Sequence, residues 1–432
     1  MAIAPTSIPA HAADHTHPHL TECHDCGLVQ VVPAMPPGAR AACTRCDSVL
    51  RDTRRDPFGL PLALNLTGLM LFFLGSSLTL MSLSSAGQFT AATLLSGPMG
   101  LERYGMQGLA IIVTITTVAV PLTRVLGMIA VLLALRHPRP PSWTKGIYAI
   151  VERLRPWSMI EIYLLGVFVA YVKLIAMAHI DVGPALYALA ALTFAMVAAD
   201  AVVDDHAIWE AIDRGPRPGR KRVRSAGLMG ASLMLIGCHT CGLVSRGRDG
   251  THCPRCGFKL HHRKSQSLAR SWALLLAAII LYIPANLYPV LIINQLGASM
   301  PSTIIGGVHE LLDGGMLPLA LLVFLASVVV PILKIVCMVL LLVTTQWQTT
   351  WRLRERTVLY RIVEFVGRWS MIDVFMISLL VALVQFGALT SIAPGNGATA
   401  FAAVVVLTMF AAECFDPRLM WDAAEPKAKS ST

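Results

Sequence analysis

Apolar positions in this chain neither alternate nor recur along a single helical face. They run on in stretches of about 20 residues or more, the length an α-helix needs to cross a bilayer. Eight such stretches are predicted as spans, at residues 59–83, 108–135, 158–178, 184–203, 269–293, 316–343, 370–389 and 398–415. Residues 1–22 have neither a basic n-region nor an apolar h-region, so no signal peptide is expected and the N-terminus is expected in the cytosol.

Composition agrees with the pattern. The chain has 432 residues, 55% hydrophobic and 14% charged, against about 25% charged in soluble domains. A soluble all-helical protein with unusually apolar helices is the competing reading, and the loop charges argue against it. Arg136, Arg139, Lys145, Arg153 and Arg155 lie between spans 2 and 3, and Arg352, Arg354, Arg356, Arg361 and Arg368 between spans 6 and 7. The opposite connections hold Arg103 with Glu102, Asp181, Glu310 and Asp313. Because Lys and Arg accumulate on the cytoplasmic side, an eight-span topology with both termini inside satisfies every loop, and it accounts for the net charge of +10.

The second half repeats the first. CHDCGLV at 23–29 recurs as CHTCGLV at 238–244, and CTRC at 43–46 as CPRC at 253–256. An offset of 210 pairs Thr93 with Thr303, Met106 with Met316, Pro121 with Pro331 and Arg124 with Lys334. An offset of 212 pairs WSMIEIY at 157–163 with WSMIDVF at 369–375, and Trp209 with Trp421. Each repeat is a cysteine module followed by four spans. An even number of spans gives both copies one orientation, so the fold class is an all-α polytopic membrane protein of two parallel repeats, each preceded by a small cytosolic zinc-ribbon module. The expected division is a His-rich tail at 1–22, ribbon 1 at 23–56, four helices at 57–205, a basic linker at 206–236, ribbon 2 at 237–264, four helices at 265–416 and a tail at 417–432. Two such halves enclose a path, which favours transport over a purely structural duplication.

Eight of the ten cysteines form the modules. Cys23, Cys26, Cys43 and Cys46, then Cys238, Cys241, Cys253 and Cys256, have the spacing of four-thiolate metal sites, predicting two Zn²⁺ ions with iron as the alternative. Gly27, Gly242, Gly257 and Asp47 follow the second cysteine of each pair, where a tight knuckle needs positive φ. Four thiolates leave no open position, so the sites are expected to be structural, and a cytosolic location argues against disulfides. Cys337 and Cys414 lie within spans and are expected to pack. The basic run at 217–224 is read as positive-inside charge rather than nucleic-acid binding, and His11, His15, His17 and His19 as a disordered tail rather than a chelator.

Charge inside a bilayer is costly and therefore informative. Lys334 lies ten residues from Thr344 at the inner end of span 6, about 15 Å deep at the α-helical rise. A Lys334–Asp373 pair with Ser370 alongside is the leading polar constellation, and Arg124 with Glu161 its counterpart in repeat 1. Pro331 and Pro121 free the carbonyls of Ser327 and Thr117 and bend their helices. Pro284 and Pro289, flanking Asn286, are expected to interrupt span 5. Lys173, Asp200 and Glu413 are further candidates, the last two close enough to the cytosol to be solvated. No nucleotide-phosphate loop or nucleophile elbow is present, so the chain is not expected to be an enzyme.

YIPANLYPV at 282–290, MPSTIIGGV at 300–308, the P-x-x-K of 331–334, EFVGRWSMIDVF at 364–375 and FDPRLMWD at 415–422 resemble the paraquat-inducible protein A family, over residues 23–422, and extend to the related LetA proteins. The resemblance implies a Gram-negative inner-membrane subunit that loads or unloads phospholipid at the mouth of a tube formed by a periplasmic MCE-domain partner, supporting envelope integrity. It implies the eight cysteines as ribbon ligands and Lys334, Ser370 and Asp373 as the polar site. Repeat 1 departs from the family in span 1, where Leu74-Gly75-Ser76-Ser77 replaces the proline motif. The functional alternatives are a membrane-anchored thiol or metal sensor of redox stress and a quinone-linked redox enzyme, for which no cofactor ligand pattern is found.

Overall fold

The structure is a computed structural model. It describes residues 19–85, 88–175, 179–213, 235–295, 298–315, 317–385 and 390–424. The tail before His19, the basic run at 217–224 and Met316 lie outside the described residues. Among the described residues the chain is mostly helical, with eight helices long and apolar enough to cross a membrane and two clusters of four cysteines.

Two short antiparallel hairpins open the chain: β1 (His19–Glu22) with β2 (Val29–Val32), and β3 (Arg40–Ala42) with β4 (Val49–Asp52). Helix α1 (Gly59–Ser77) follows, then strands β5 (Met81–Ser85) and β6 (Gln88–Ala92). Next come α2 (Ser96–Arg103), α3 (Gln107–Thr114), a π-helical turn at Ile115–Ala119 and α4 (Val120–Ala134). Helix α5 (Trp143–Leu154) joins α6 (Ile160–Leu174) through a 3₁₀ turn at Arg155–Trp157. Strand β7 (His179–Val182), α7 (Pro184–Val202) and α8 (Asp205–Ile212) complete the first half.

The second half runs β8 (Leu235–Gly237), β9 (Val244–Arg246), α9 (Ser267–Leu287), β10 (Leu291–Gln295), β11 (Ala298–Ser302), α10 (Ile304–Asp313) and α11 (Leu317–Phe324). A π-helical turn at Leu325–Val329 precedes α12 (Val330–Gln346), and then come α13 (Leu353–Trp369), α14 (Ile372–Leu383), β12 (Thr390–Pro394), α15 (Asn396–Cys414) and α16 (Leu419–Asp422).

The apolar runs overestimated several helices at the end away from the cysteine modules. The run at 59–83 stops being helical at Ser77, and the run at 269–293 at Leu287. Beyond them the chain forms antiparallel sheets of order β6-β5-β7 and β11-β10-β12. Met81 and Leu83 point inward and are fully buried while Ser82 and Ser84 alternate outward, the period of two that defines a strand with one covered face. Gly183 comes so close to the Thr79 carbonyl, and Gly395 to that of Pro289, that neither backbone could approach with a Cβ in place.

Pro284 does not interrupt its helix, contrary to expectation. It sits in the last turn of α9, where losing one helical donor costs little because the helix ends at Leu287. Pro289 forces the residue before it into extended geometry, and Tyr288 has φ −83° and ψ 150°. Pro121 and Pro331 are each accommodated by the π turn just before them, which takes up the carbonyls a proline leaves unbonded.

Helix α14 is the best-buried span, gripped by elements of the first half. A Cβ on Gly166 of α6 would lie 3.0 Å from the Phe375 Cβ, and one on Gly97 of α2 3.0 Å from the Ser378 hydroxyl. The rings of Tyr163 and Phe375 meet edge to face at 5.7 Å between centroids. The first hairpins pack on α12, α13 and α16 in one hydrophobic cluster, and the β8–β9 module packs with Tyr148, Ile208, Trp209 and Ile212 in another. Each cysteine module therefore sits largely on the helices of the other half.

Candidate metal centres and membrane-embedded polar site

The four knuckles share one geometry. Gly27, Asp47, Gly242 and Gly257 have φ of 73°, 57°, 66° and 80°. Each donates its amide to the carbonyl of the first cysteine in its pair, at 2.9 to 3.0 Å. That turn directs both thiols of a pair to one point. In the first cluster Cys23 Sγ lies 3.5 Å from Cys46 Sγ, and Cys26 Sγ 3.6 Å from Cys43 Sγ. In the second, Cys238 and Cys256 are 3.5 Å apart and Cys241 and Cys253 3.6 Å. All four sulfurs of each set lie within 4.8 Å of one another. A tetrahedral ion with bonds of about 2.3 Å needs sulfurs about 3.8 Å apart, and a disulfide needs about 2.05 Å. The donor sets therefore fit a tetrahedral metal ion and not disulfides.

The thiols of each cluster perturb one another strongly. Hydrogen bonding from Cys26 is the main cause holding Cys23 down, at about 4, while the same bond pushes Cys26 up. Cys253 is driven down and Cys241 up, in both cases chiefly through Cys238. Four neighbouring thiols cannot all ionise unless a cation balances them, and a four-thiolate ion does so with no position left for a reacting ligand.

Around the clusters runs a charged collar. Arg361 of α13 bridges to Asp25 at 2.6 Å, and Arg354 donates to the Arg45 carbonyl at 2.8 Å. Arg418 donates to Glu22 at 2.6 Å, and Glu22 also accepts from the Gly237 amide at 2.6 Å, joining the two modules. On the other side Lys145 donates to the Arg255 carbonyl at 3.0 Å, and His206 bonds the Leu50 carbonyl at 3.2 Å. These contacts read out the Arg-rich loops as docking surfaces for the modules.

A cavity lies where the β11-β10-β12 sheet meets the membrane-spanning helices. It is lined by Lys173 of α6, Ser302 at the end of β11, Thr303 after it, Ser327 in the second π turn, Asp373 of α14 and Phe401 of α15. Asp373 is 6% exposed, and its Oδ2 has no hydrogen-bond partner among the described residues. Thus Asp373 shares its site with a lysine from the first half. Ser327, Ser302 and Thr303 were not among the expected site residues, although the freed Ser327 carbonyl marks its turn in the sequence.

The expected Lys334–Asp373 pair is not formed. Lys334 turns toward α13, where its Nζ lies 2.7 Å from the place a Cβ on Gly367 would occupy, and it has no hydrogen-bond partner among the described residues. Ser370 is buried with its hydroxyl likewise unpartnered. The position of each residue along its helix was readable, but the side from which it projects was not. Arg124 pairs with Asp200 rather than Glu161, so Asp200 is not a merely solvated end residue. Asn286 bonds its own helix, donating to the Tyr282 carbonyl at 2.9 Å. The backbone carbonyl of Glu413 accepts from Lys264 at 2.6 Å.

The family model described as Paraquat-inducible protein A matches residues 60–213 and 268–425. The chain is 36% identical over 415 residues to "Intermembrane transport protein PqiA" of Escherichia coli (strain K12), covering 95% of this chain and 96% of that protein. It is 31% identical over 407 residues to "Lipophilic envelope-spanning tunnel protein A" of the same strain, covering 93% and 91%. "Probable intermembrane transport protein" of Haemophilus influenzae (strain ATCC 51907 / DSM 11121 / KW20 / Rd) is 29% identical over 413 residues, covering 93% and 94%. No solved structure matches the chain. With eight apolar helices, two four-cysteine clusters and a family match over most of its length, this chain is a multi-pass membrane protein that belongs to the paraquat-inducible protein A family.

Proposed function

We propose that the protein is the inner-membrane subunit of an intermembrane lipid-transport system, passing phospholipid to or from a periplasmic MCE-domain partner, and that it is not an enzyme. The observation that carries this reading is the cavity holding Asp373, Lys173 and Ser327 among helices long enough to span a bilayer, in a chain whose relatives carry intermembrane-transport names. A buried carboxylate beside a lysine changes charge with small changes of hydration, which suits coupling to a gradient. Lys334 and Ser370 belong to the same working half. The two halves are parallel repeats, with termini and cysteine modules in the cytosol.

Each cysteine cluster in this reading holds one structural Zn²⁺, which supplies folding free energy to a module too small to fold by its core alone. A thiol-based sensor is less favoured, since seven of the eight cysteines are buried and sensor thiols are accessible. The test is purification from mild detergent with partners retained. Phospholipid, an MCE-domain protein and about two zinc ions per chain are expected together. A preparation lacking both lipid and MCE protein overturns the transport reading, and iron in place of zinc overturns the metal assignment.

A further inference from the structure

The halves differ most where matched positions carry charge. In the first half Arg124 of α4 pairs with Asp200 of α7. Arg155, in the turn between α5 and α6, reaches Asp200 Oδ2 at 3.9 Å and its carbonyl at 3.3 Å. It also reaches Asp205 at 3.5 Å, and Asp205 accepts the Tyr148 hydroxyl at 2.7 Å. One knot thus ties α4, α5, α7, α8 and the α5–α6 turn together.

Arg124 matches Lys334 at an offset of 210, and Arg155, Asp200 and Asp205 match Gly367, Ala412 and Pro417 at an offset of 212. The second half therefore keeps the cation and lacks both the acid that pairs with it and the Arg155 and Asp205 that tie that acid to neighbouring elements. Tyr360, which matches Tyr148, bonds the Ala412 backbone carbonyl at 3.3 Å instead of a carboxylate. Lys334 is 4% exposed without a hydrogen-bond partner among the described residues, and it rests against a glycine at the end of α13. An uncompensated ammonium at such depth is costly, and breaking a buried pair costs more than never having one. Retaining the cation while losing the acid removes the ionic tie that the matched joint of the first half has, and leaves this joint held by apolar packing alone. The middle of α13, by contrast, is held to the first module through Arg361 and Asp25, and its start through Arg354 and the Arg45 carbonyl.

We infer that the first half is a fixed scaffold locked by the Arg124–Asp200–Arg155–Asp205 knot, and that the joint between α13 and α14, residues 367–373, is the moving element of the molecule. The assignment goes beyond the transport reading, and its main readout does not depend on any cargo.

Hydrogen exchange on the full chain in detergent tests it. Residues 367–373 should exchange at least about tenfold faster than the matched residues 155–161. Ala412→Asp places an acid where the first half has Asp200, on a helix packed against α12. It should slow exchange at 367–373 by about tenfold and abolish protection in a membrane-integrity assay. Ala412→Asn, of the same size without the charge, should do neither. Asp200→Asn should speed exchange at 155–161. Equal exchange at the two wild-type joints, or the same behaviour of Ala412→Asp and Ala412→Asn, would overturn the assignment. If Ala412→Asp fails to accumulate, the wild-type comparison and Asp200→Asn decide.

Discussion

Two acids in the apolar helices, one buried and one half-buried, show how much a neighbour changes the meaning of a charge. Asp373 has an unpartnered oxygen in a cavity, whereas Asp200 is the counter-ion of Arg124. Lys334→Met removes an ammonium with no partner among the described residues, so it should leave the melting temperature unchanged or raised, by up to about 3 kcal/mol of stability, while function in a membrane-integrity assay is lost. Asp373→Asn takes away the charge that faces Lys173 and should lose that function as well. If either variant fails to accumulate, the residue is structural. Asp200→Ala strands Arg124 and should cost about 2 kcal/mol, less than a fully buried pair because Asp200 is 28% exposed.

A third residue predicts a pH effect outside the membrane. Burial, and after it the Arg51 guanidinium, holds His206 below its usual 6.5. Below that value the unfolded chain takes up a proton that the folded one refuses, so stability is complete above 6.5 and is lost as the pH falls toward the folded value. Melting temperature should therefore drop between about pH 7 and pH 5, and less so in His206→Asn. An equal drop in both proteins would show that other groups carry the acid sensitivity.

At the scale of elements, small residues decide which helices can meet. Gly166 and Gly97 let α6 and α2 of the first half close on α14 of the second. Gly166→Leu would drive a side chain into Phe375 and the Ile372 carbonyl and should cost about 1–3 kcal/mol. Thermal unfolding measures this, and an unchanged midpoint would mean that α14 can shift without loss. The π turns at Ile115–Ala119 and Leu325–Val329 occur at matched places, each just before a proline. Their position was legible from Pro121 and Pro331, because a missing amide always has the same consequence for the preceding turn. The strands beyond the spans were not legible, since an apolar run of eight or fewer residues fits a strand as well as a helix end.

Across the whole molecule the cysteine modules act as crossed clasps, the first docked on α12, α13 and α16 and the second on α5 and α8. Metal removal should therefore loosen the contact between halves rather than unwind the spans. After treatment with a strong zinc chelator, the eight module cysteines should become open to alkylation and the melting temperature should fall, with helical content by circular dichroism nearly constant. Ready alkylation before chelation would mean that the clusters hold no metal.

By itself the sequence determined what depends on local chemistry. Run length set the eight spans, cysteine spacing set the two four-sulfur clusters, and residues able to hold positive φ stood at all four knuckles. Only the tertiary structure decided which buried charges meet. Asp373 faces Lys173 of the other half, Lys334 rests on Gly367, and Arg124 finds Asp200. The reason is that depth follows from counting residues along one helix, whereas a partner depends on the rotation and packing of two helices far apart in the chain, which no single stretch of sequence encodes.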